Sequence, residues 1–315
     1  MKILGAAKEL SPGGRKVCLA IGVFDGVHLG HQQILGHTIT EARDQAGLAV
    51  ALTFDRHPSA IVSPGREPRI IYTLPQKLRA LAALGMDATV VIPFDAEFSR
   101  QTGGEFIHRL AGDLGGIHSL CVGADFVFGR QRSGNVELLT ALGAELHFTV
   151  QGLAAVTLDG EVVSSTRIRE MIRTGRLGTA SRMLGRPYAL SGRIVSGDRL
   201  GRKLGFPTAN LDLPGHCLPP NGVYAGRTRW AGRYYRVALN LGRRPTLRFP
   251  APELRVEAHL LDFDGDLYGQ ELEIEVGDRL RDEKKFATPV QLGAQIARDL
   301  QAVRENPGLT AGLCQ

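Results

Sequence analysis

The chain has 315 residues, of which 43% are hydrophobic and 22% charged, a composition that excludes a disordered chain and a length that favours two folded domains. The net charge of +6 suits anionic ligands such as nucleotides, but because no block of consecutive Lys and Arg residues occurs, we expect no nucleic-acid partner. The four cysteines include no C-x-x-C pair, and no stretch has the length of a membrane span. We therefore expect a cytoplasmic protein with reduced thiols, no zinc site and no membrane partner.

From Val17 to about Arg173, short apolar runs alternate with segments of helical periodicity. The apolar runs are VCLAIG, LAVALTF, ATVVIPF, SLCVG and ELHFTV. The helical segments are HQQILGHTITEARDQAG, PQKLRALAALG, GEFIHRLAGDL and NVELLTALG. Repeated strand–helix units predict a Rossmann-like parallel α/β sheet with helices on both faces. In such a sheet ligands bind beyond the carboxyl ends of the strands, so the loops after them are where we expect a site.

The pattern changes near residues 185–190, after which strands follow one another with only turns between them. These strands are GVYAGRTRW, YYRVALNLG, LRVEAHLLDF and QELEIEV, and Asp264-Gly265 between the last two predicts a β-hairpin. One helix closes the chain, with Thr288 and Gln291 predicted as its capping box. We therefore predict an α/β domain over residues 1–186 and an antiparallel β-barrel or sandwich with a terminal helix over residues 187–315.

The stretch GVFDGVHLGH follows the first predicted strand and carries His28 and His31. Their spacing puts both imidazoles on one side of the first turn of a helix, whose free N–H groups form an anion site. Gly22, Gly26 and Gly30 allow the backbone to approach a ligand closely. Two imidazoles here can donate hydrogen bonds to phosphate oxygens during phosphoryl or nucleotidyl transfer. The alternative is a pair of surface histidines after a strand.

A second stretch, VVSSTRIREMIRTG, places Ser164, Ser165 and Thr166 before a predicted helix, with Arg167 and Arg169 as nearby cations. Hydroxyls and free N–H groups converge at such a helix start. Taken alone, the stretch fits an ordinary helix cap followed by a basic helix. Paired with the two histidines, it favours a phosphate-binding role.

The segment GDRLGRKLGFPTANL has glycines around Lys203 but lacks the spacing of a Walker A loop. Thr208 and Asn210 stand at alternate positions of an extended segment, so their oxygens project to one side and could coordinate Mg2+. The alternative is a proline turn with two polar surface residues.

In LRVEAHLL, Glu257 lies on the polar face of a predicted strand, a stiff mount for a general base. Glu271, Glu273 and Glu275 show the same alternation, and we interpret them as a solvated face. Alternation alone does not separate a base from a surface acid.

Four of these motifs, GVFDGVHLGH, TFDRHP, VGADFVFG and SSTRIR, resemble the FMN adenylyltransferase domain of the bacterial bifunctional riboflavin kinase/FAD synthetases, which belong to the H-x-G-H nucleotidyltransferases. The resemblance implies catalytic roles for His28, His31 and Arg169, with both histidines at the phosphates of ATP. It also places Asp125 near the flavin. The further ATP-binding residues that it implies are Gly22, Phe24, Asp25, Gly30, Ser164, Ser165 and Thr166.

Three positions depart from this family pattern. Arg56 stands where a proline is usual, Val127 replaces a usual arginine, and Asn135 replaces a common aspartate. Because the histidines and SSTxIR are intact, we expect any effect on substrate affinity rather than on the reaction.

The later motifs GRKLGFPTANL, NGVYA, NLGRRPT, VEAHLLDFDGDLYG and LRDEKKF resemble, in order and spacing, the riboflavin kinase domain of the same family. The resemblance implies a six-stranded barrel with Glu257 as catalytic base. It places Leu280 to Phe286 near the flavin, where Asn240 is a further candidate. The implied ATP and Mg2+ residues are Gly201, Lys203, Gly205, Thr208 and Asn210.

The resemblance therefore implies an enzyme that phosphorylates riboflavin to FMN with MgATP and then transfers AMP from a second ATP to FMN, giving FAD and pyrophosphate. One alternative is a flavin-binding regulator with one decayed catalytic site. A second alternative, a tRNA-directed class I synthetase, is disfavoured by the short chain, by the lack of a KMSKS-like motif and by the PTAN segment.

Overall fold

The computed structural model of the chain describes residues 1–196, 205–244 and 253–309. Its internal contacts group the chain into two compact units, Met1–Ser165 and Thr166–Gln315. The domain boundary predicted after residue 186 stays a prediction.

The first unit is built on a six-stranded parallel sheet whose strand order is β1-β4-β3-β2-β5-β6. Its strands are β1 (Lys2–Leu4), β2 (Val17–Ile21), β3 (Leu48–Phe54), β4 (Ala88–Ile92), β5 (Ser119–Gly123) and β6 (Thr149–Leu153). The predicted parallel α/β sheet is confirmed, and β1 is an additional strand that was too short to predict. A small hairpin, β7 (Thr157–Leu158) with β8 (Glu161–Val162), follows.

The helices of this unit are α1 (Leu29–Asp44), α2 (Ser59–Val62), α3 (Leu74–Leu84), α4 (Gly103–Asp113) and α5 (Val136–Leu146). Gly85 ends α3 at φ 100°, a left-handed conformation that glycine adopts without strain. The predicted strand ELHFTV starts later than expected, because its first residues belong to α5 and the left-handed His147 (φ 64°) ends that helix.

Helices cover both faces of the sheet. On one face α4 and α5 bury the row that includes Leu19, Leu52 and Leu120. On the other face α1 and α3 pack on the smaller Ala20 and Ala51. The chain winds outward from β2 in both directions, so the crevice beyond the carboxyl ends of β2 and β5 is the topological switch point at which ligands bind in such sheets.

The second unit begins with two helices and continues as a closed barrel in the order β10-β13-β12-β11-β14-β9, with antiparallel neighbours throughout. This confirms the predicted six-stranded barrel with a terminal helix. Its elements are α6 (Ser165–Arg173), α7 (Leu177–Leu184), β9 (Ala189–Val195), β10 (Ala209–Asp212), β11 (Gly222–Trp230), β12 (Arg233–Arg244), β13 (Glu253–Leu260), β14 (Glu271–Arg281) and α8 (Pro289–Glu305).

The predicted hairpin at Asp264-Gly265 is wrong. β13 pairs with β10 and β12, whereas β14 pairs with β11 and β9. Leu261 and Leu267 are buried at either end of the connection, so this segment folds back onto the barrel instead of reversing in a tight turn.

The terminal helix α8 packs on the outer face of the barrel through Val303, which is buried against Ala225 and Leu261. At its start Thr288 accepts the amide of Gln291, as predicted. The side chain of Gln291 accepts the amide of Ala287 instead of that of Thr288, so the capping box is displaced by one residue.

Candidate active sites

The two histidines of GVFDGVHLGH lie at the start of α1, directly beyond the carboxyl end of β2. His28 is the N-cap residue of α1, and its Nδ1 accepts the backbone amide of His31 at 3.4 Å. The two rings stack with their centroids 3.6 Å apart, and the ring of His31 meets that of Phe24 edge-on. Because Nδ1 of His28 is an acceptor, a neutral His28 ring carries its proton on Nε2. The predicted placement of both imidazoles on one side of the first turn is therefore seen in the structure.

The loop that carries these rings has an unusual backbone. Phe24 and Val27 have φ values of 51° and 40°, and both side chains are fully buried. Non-glycine residues pay about 1–3 kcal/mol for such conformations, which persist where the surroundings hold them in place. At Gly30 a Cβ atom would come within 3.3 Å of the His28 ring, so a larger residue there would press on that ring. The buried side chains of Phe24 and Val27 thus hold the backbone of the loop that carries the two histidines.

Asp25, a predicted ATP-binding residue, is buried and bonded within the protein. Its carboxylate accepts the amides of Ile71 and Tyr72 at 3.0–3.1 Å, and its backbone carbonyl accepts the hydroxyl of Ser165 at 3.0 Å. Phe24 packs its ring against Gly22. The contacts of Asp25 and Phe24 therefore fix the conformation of the loop.

The second stretch, VVSSTRIREMIRTG, reaches the same loop as the two histidines. The carbonyl of Val163 lies 3.7 Å from the position that a Cβ of Gly30 would take, and Ser165 bonds to the loop as described. Ser164 is half-buried. The structure therefore brings the beginning of SSTRIR to the His28 loop, as the sequence predicted, although α6 begins at Ser165 instead of after Thr166.

Thr166 and Arg169 belong to the second unit. Thr166 is exposed, whereas Arg169 is 8% exposed and its carbonyl accepts from Arg173 and Cys217. The ATP contact predicted for Thr166 and the catalytic role predicted for Arg169 stay predictions.

Asp125 follows β5, on the other side of the switch point from β3. Its Oδ1 lies 3.1 Å from the Cβ position of Gly123, the last residue of that strand, and the side chain is exposed. Phe126 and Phe128 stack beside it with ring centroids 5.3 Å apart. The stacked rings are an apolar surface that sequence reasoning had not singled out.

The three departures from the family pattern have separate structural outcomes. Arg56 turns onto its neighbour Asp55, with Nη2 3.0 Å from Oδ2. Asn135 caps α5 by accepting the amide of Leu138, a task for which Asn and Asp are equally suited. Val127 is 41% exposed, and no contact explains the substitution.

In the barrel, three polar residues stand in one row on neighbouring strands. Glu257 of β13 is directly opposite Asn210 of β10 and directly opposite Asn240 of β12. Such facing residues have Cβ atoms about 4.5–5.5 Å apart and project from the same face. The buried neighbours Val256 and Ala258 point into the barrel, so the row lies on its outer face. The sequence indicated each residue but not the row, because strand register is a property of the fold.

A cavity of about 430 Å³ lies beside Thr208. One of its walls is the segment that the sequence wrongly predicted to be a hairpin. The lining residues of that segment are Phe263, Asp264, Gly265, Asp266, Leu267 and Tyr268. The Pro207 carbonyl next to Thr208 is held by His259, whose Nδ1 lies 2.7 Å away. Gly205 is exposed, and Gly201 and Lys203 lie outside the described residues.

Three other acidic residues of the barrel have partners within the protein. Glu271 accepts the hydroxyl of Ser191 at 2.7 Å, and Glu275 pairs with Arg227 at 2.6 Å. Glu283 of LRDEKKF accepts the side-chain amide of Asn221 at 3.2 Å. Glu271 is exposed whereas Glu273 and Glu275 are half-buried, so the β14 glutamates form the predicted solvated face only in part.

Across residues 1–196, 205–244 and 253–309, no group of three or more His, Cys, Asp or Glu side chains is arranged to hold a metal ion. A magnesium ion that uses ATP phosphates and water needs fewer protein ligands. Thr208 and Asn210, two residues apart on an extended segment beside Glu257, supply oxygen donors of the required kind.

The fold and the two sites define a class of protein: an α/β nucleotidyltransferase unit followed by a kinase-like barrel. A family model described as FAD synthetase matches residues 11–167, and one described as riboflavin kinase matches residues 184–306. The chain belongs to the bifunctional riboflavin kinase/FMN adenylyltransferase family. This confirms the enzyme class that the motifs predicted.

Two relatives illustrate the similarity. The bifunctional riboflavin kinase/FMN adenylyltransferase of Escherichia coli strain K12 is 36% identical over 312 residues, covering 98% of this chain and 99% of its own. The enzyme of the same description from Haemophilus influenzae is 36% identical over 288 residues, covering 91% and 92%. The likeness therefore spans both units.

A crystal structure from Streptococcus pneumoniae, described as a macrolide-efflux protein, matches this chain with a TM-score of 0.82 at 28% identity. It covers 96% of this chain and 98% of its own. The two structures therefore share the same fold in both units.

None of the helices in the described part of the chain is long and apolar enough to cross a membrane.

Proposed function

We propose that each reaction of the family is carried out by one unit of this chain, the phosphorylation of riboflavin by the barrel and the adenylyl transfer by the α/β sheet. The observation that supports this division most strongly is the separate presence of a stacked histidine pair at a switch point of the sheet and of the Asn210–Glu257–Asn240 row on the barrel. The family models support a boundary between the two functions at residues 168–183, close to the one predicted after residue 186.

In the barrel, Glu257 acts as the general base. It takes the proton of the terminal ribityl hydroxyl of riboflavin as that oxygen attacks the γ-phosphorus of ATP, and the bond to the β–γ bridging oxygen breaks to release ADP. Asn210 and Asn240 stand on either side of Glu257 and orient its carboxylate and the hydroxyl. The cavity beside Thr208 holds the nucleotide.

Magnesium would be held by the oxygens of Thr208 and Asn210, and it would neutralise charge on the ATP phosphates. His259 fixes the carbonyl next to Thr208, which keeps that hydroxyl at the mouth of the cavity.

In the α/β unit, a phosphate oxygen of FMN attacks the α-phosphorus of a second ATP, and pyrophosphate leaves. His28 and His31 donate hydrogen bonds to the phosphate oxygens, where negative charge develops during transfer, and the start of α1 adds its free amides. The loop is held by Asp25, so the donors are preorganised before the substrate binds. Asp125 and the stacked phenylalanines after β5 face the flavin.

We place the enzyme in the cytoplasm, where ATP is supplied. The described cysteines, Cys18, Cys121 and Cys217, are buried free thiols, in agreement with a reducing compartment.

The test is to incubate the purified chain with riboflavin, ATP and Mg2+ and to resolve the flavins by chromatography. FMN followed by FAD is the expected outcome, with neither product after chelation of the metal. Flavin binding without turnover would instead favour a regulator with a decayed site, and the absence of both products in the presence of Mg2+ would refute the proposal.

A further inference from the structure

Lys77 is a buried cation that the mechanism above does not use. It lies on α3 and is 6% exposed. Its ammonium donates to the hydroxyl of Thr53 and to the carbonyl of Phe54, both at 3.2 Å. Thr53 and Phe54 are the last two residues of β3, so Lys77 holds the carboxyl end of the strand next to β2.

The contact continues into the loop that carries the histidines. The hydroxyl of Thr53, which accepts from Lys77, donates in turn to the carbonyl of Val23 at 3.0 Å. Val23 begins the loop that contains the strained Phe24 and Val27 and ends at His28. Two consecutive hydrogen bonds therefore connect the ammonium of Lys77 to the loop that carries His28 and His31.

Two carboxylates act on the same ammonium. Asp25 lies in the histidine loop after β2, and Asp55 follows β3. Each is also fixed to another element, Asp25 to the amides of Ile71 and Tyr72 and Asp55 to the amide of Phe94. The cation thus stands where the loops after β2 and β3 meet, and its charge offsets both carboxylates.

We propose that Lys77 is a positioning residue for adenylyl transfer, and that its ammonium holds the loops carrying His28 and Asp55 in the reactive arrangement. The inference rests on the proposed function of the α/β unit. Loss of the positive charge would remove the donor to the Thr53 hydroxyl and to the Phe54 carbonyl, and with it the attraction between this ammonium and the carboxylates of Asp25 and Asp55, so the His28 loop would shift.

The burial of Lys77 predicts how adenylyl transfer depends on pH. It lowers the pKa of the Lys77 ammonium to about 8, although Asp25 and Asp55 raise it in opposition. The charge is therefore present at neutral pH and is lost as the pH rises through that value. Between the folded value and the ordinary 10.5 the unfolded chain binds more protons at this residue, so its contribution to the free energy of unfolding rises in the same range. A fall in activity in this range is therefore not explained by a loss of stability at Lys77.

The first experiment measures kcat/KM for MgATP in FAD formation from FMN, from about pH 7 to pH 9.5, since this ratio reports groups of the enzyme before the varied substrate binds. We expect it to fall as Lys77 loses its proton, while riboflavin phosphorylation by the same chain serves as an internal control that lacks this dependence. A ratio that stays constant through the range would overturn the inference. If the wild-type chain formed no FAD at all, the proposed function itself would fail, which is a different result.

The second experiment compares K77M, which removes the charge, with K77R, which keeps it above this range. We expect K77M to lower FAD formation by about 10- to 100-fold, the scale of a misplacement near 1 Å, and K77R to restore activity with its alkaline decline displaced upward. The matched control is K16M, since Lys16 is an exposed lysine at the opposite end of β2. Full FAD formation by a folded K77M variant with the wild-type pH profile would contradict the proposal. If circular dichroism shows K77M unfolded, the wild-type profile and K77R decide the question.

Discussion

Glu257 differs from the other strand-borne glutamates of the barrel in what stands beside it. Two asparagines face it on neighbouring strands, whereas Glu271 is bonded to Ser191 and Glu275 to Arg227. The sequence showed only the alternation that all these residues share.

The glutamate assignment predicts a contrast between two conservative variants. E257Q should lower the kcat of riboflavin phosphorylation by about 100-fold or more, the scale of general-base catalysis, because the amide cannot accept the proton. E273Q, an equivalent change at a glutamate that alternates in the same way on β14, should retain most of the activity. FMN formation at saturating substrate measures both, and equal losses would contradict the assignment.

His216 predicts a pH dependence of stability. It is 6% exposed, and burial lowers the pKa of its imidazole below the ordinary 6.5. As the pH falls from 6.5 toward the lowered value, the unfolded chain takes up a proton that the folded chain does not, so the barrel loses stability in that range.

Urea unfolding followed by the fluorescence of Trp230, the single tryptophan of the chain, measures this effect. The loss of unfolding free energy between neutral pH and pH 5 should be smaller in H216Q than in the wild type, because glutamine does not titrate. An identical loss in both proteins would show that His216 does not contribute.

Among the elements, α8 is joined to the barrel by a largely buried ion pair in addition to the packing of Val303. The guanidinium of Arg281, at the end of β14, binds both carboxylate oxygens of Asp299 at 2.7–3.0 Å, and Gln295 donates to the same carboxylate at 2.8 Å. The side chains of Arg281 and Asp299 are 16% and 8% exposed. Removing one member of a buried pair leaves the other without compensation.

We therefore expect R281M to destabilise the barrel by about 3–5 kcal/mol in urea unfolding, again followed by Trp230 fluorescence. The control is R304M, since Arg304 pairs with Asp262 elsewhere along α8 with both side chains largely exposed. R304M should leave the unfolding midpoint almost unchanged. A midpoint for R281M equal to that of R304M would show that this ion pair does not hold the helix.

Most elements could be predicted from periodicity, as the parallel sheet and the bounds of α3 and α4 show. The failure at Asp264-Gly265 has a physical cause: a turn dipeptide indicates where the chain bends, but the strand partners are decided by burial of Leu261 and Leu267 against the barrel. The same segment lines the cavity beside Thr208, so the wrong prediction concealed part of the wall of that cavity.

At the scale of the whole molecule, each site combines residues that the sequence could indicate with residues that only folding brings together. The histidine pair was predictable because its spacing is local to one helical turn. Lys77 was not, because a lysine within a helical pattern is ordinarily exposed, and its burial against β3 depends on the packing of α3 on the sheet. The row through Glu257 depends in the same way on strand register.

The central claim is that the two reactions use separate sites within one chain, and product analysis of two variants tests it most directly. H31A, supplied with riboflavin and MgATP, should accumulate FMN and form almost no FAD, because its kinase residues are intact. E257Q should leave riboflavin unchanged but convert added FMN to FAD at close to the wild-type rate. Chromatography of the flavins distinguishes these patterns, and loss of both products in both variants would contradict the claim.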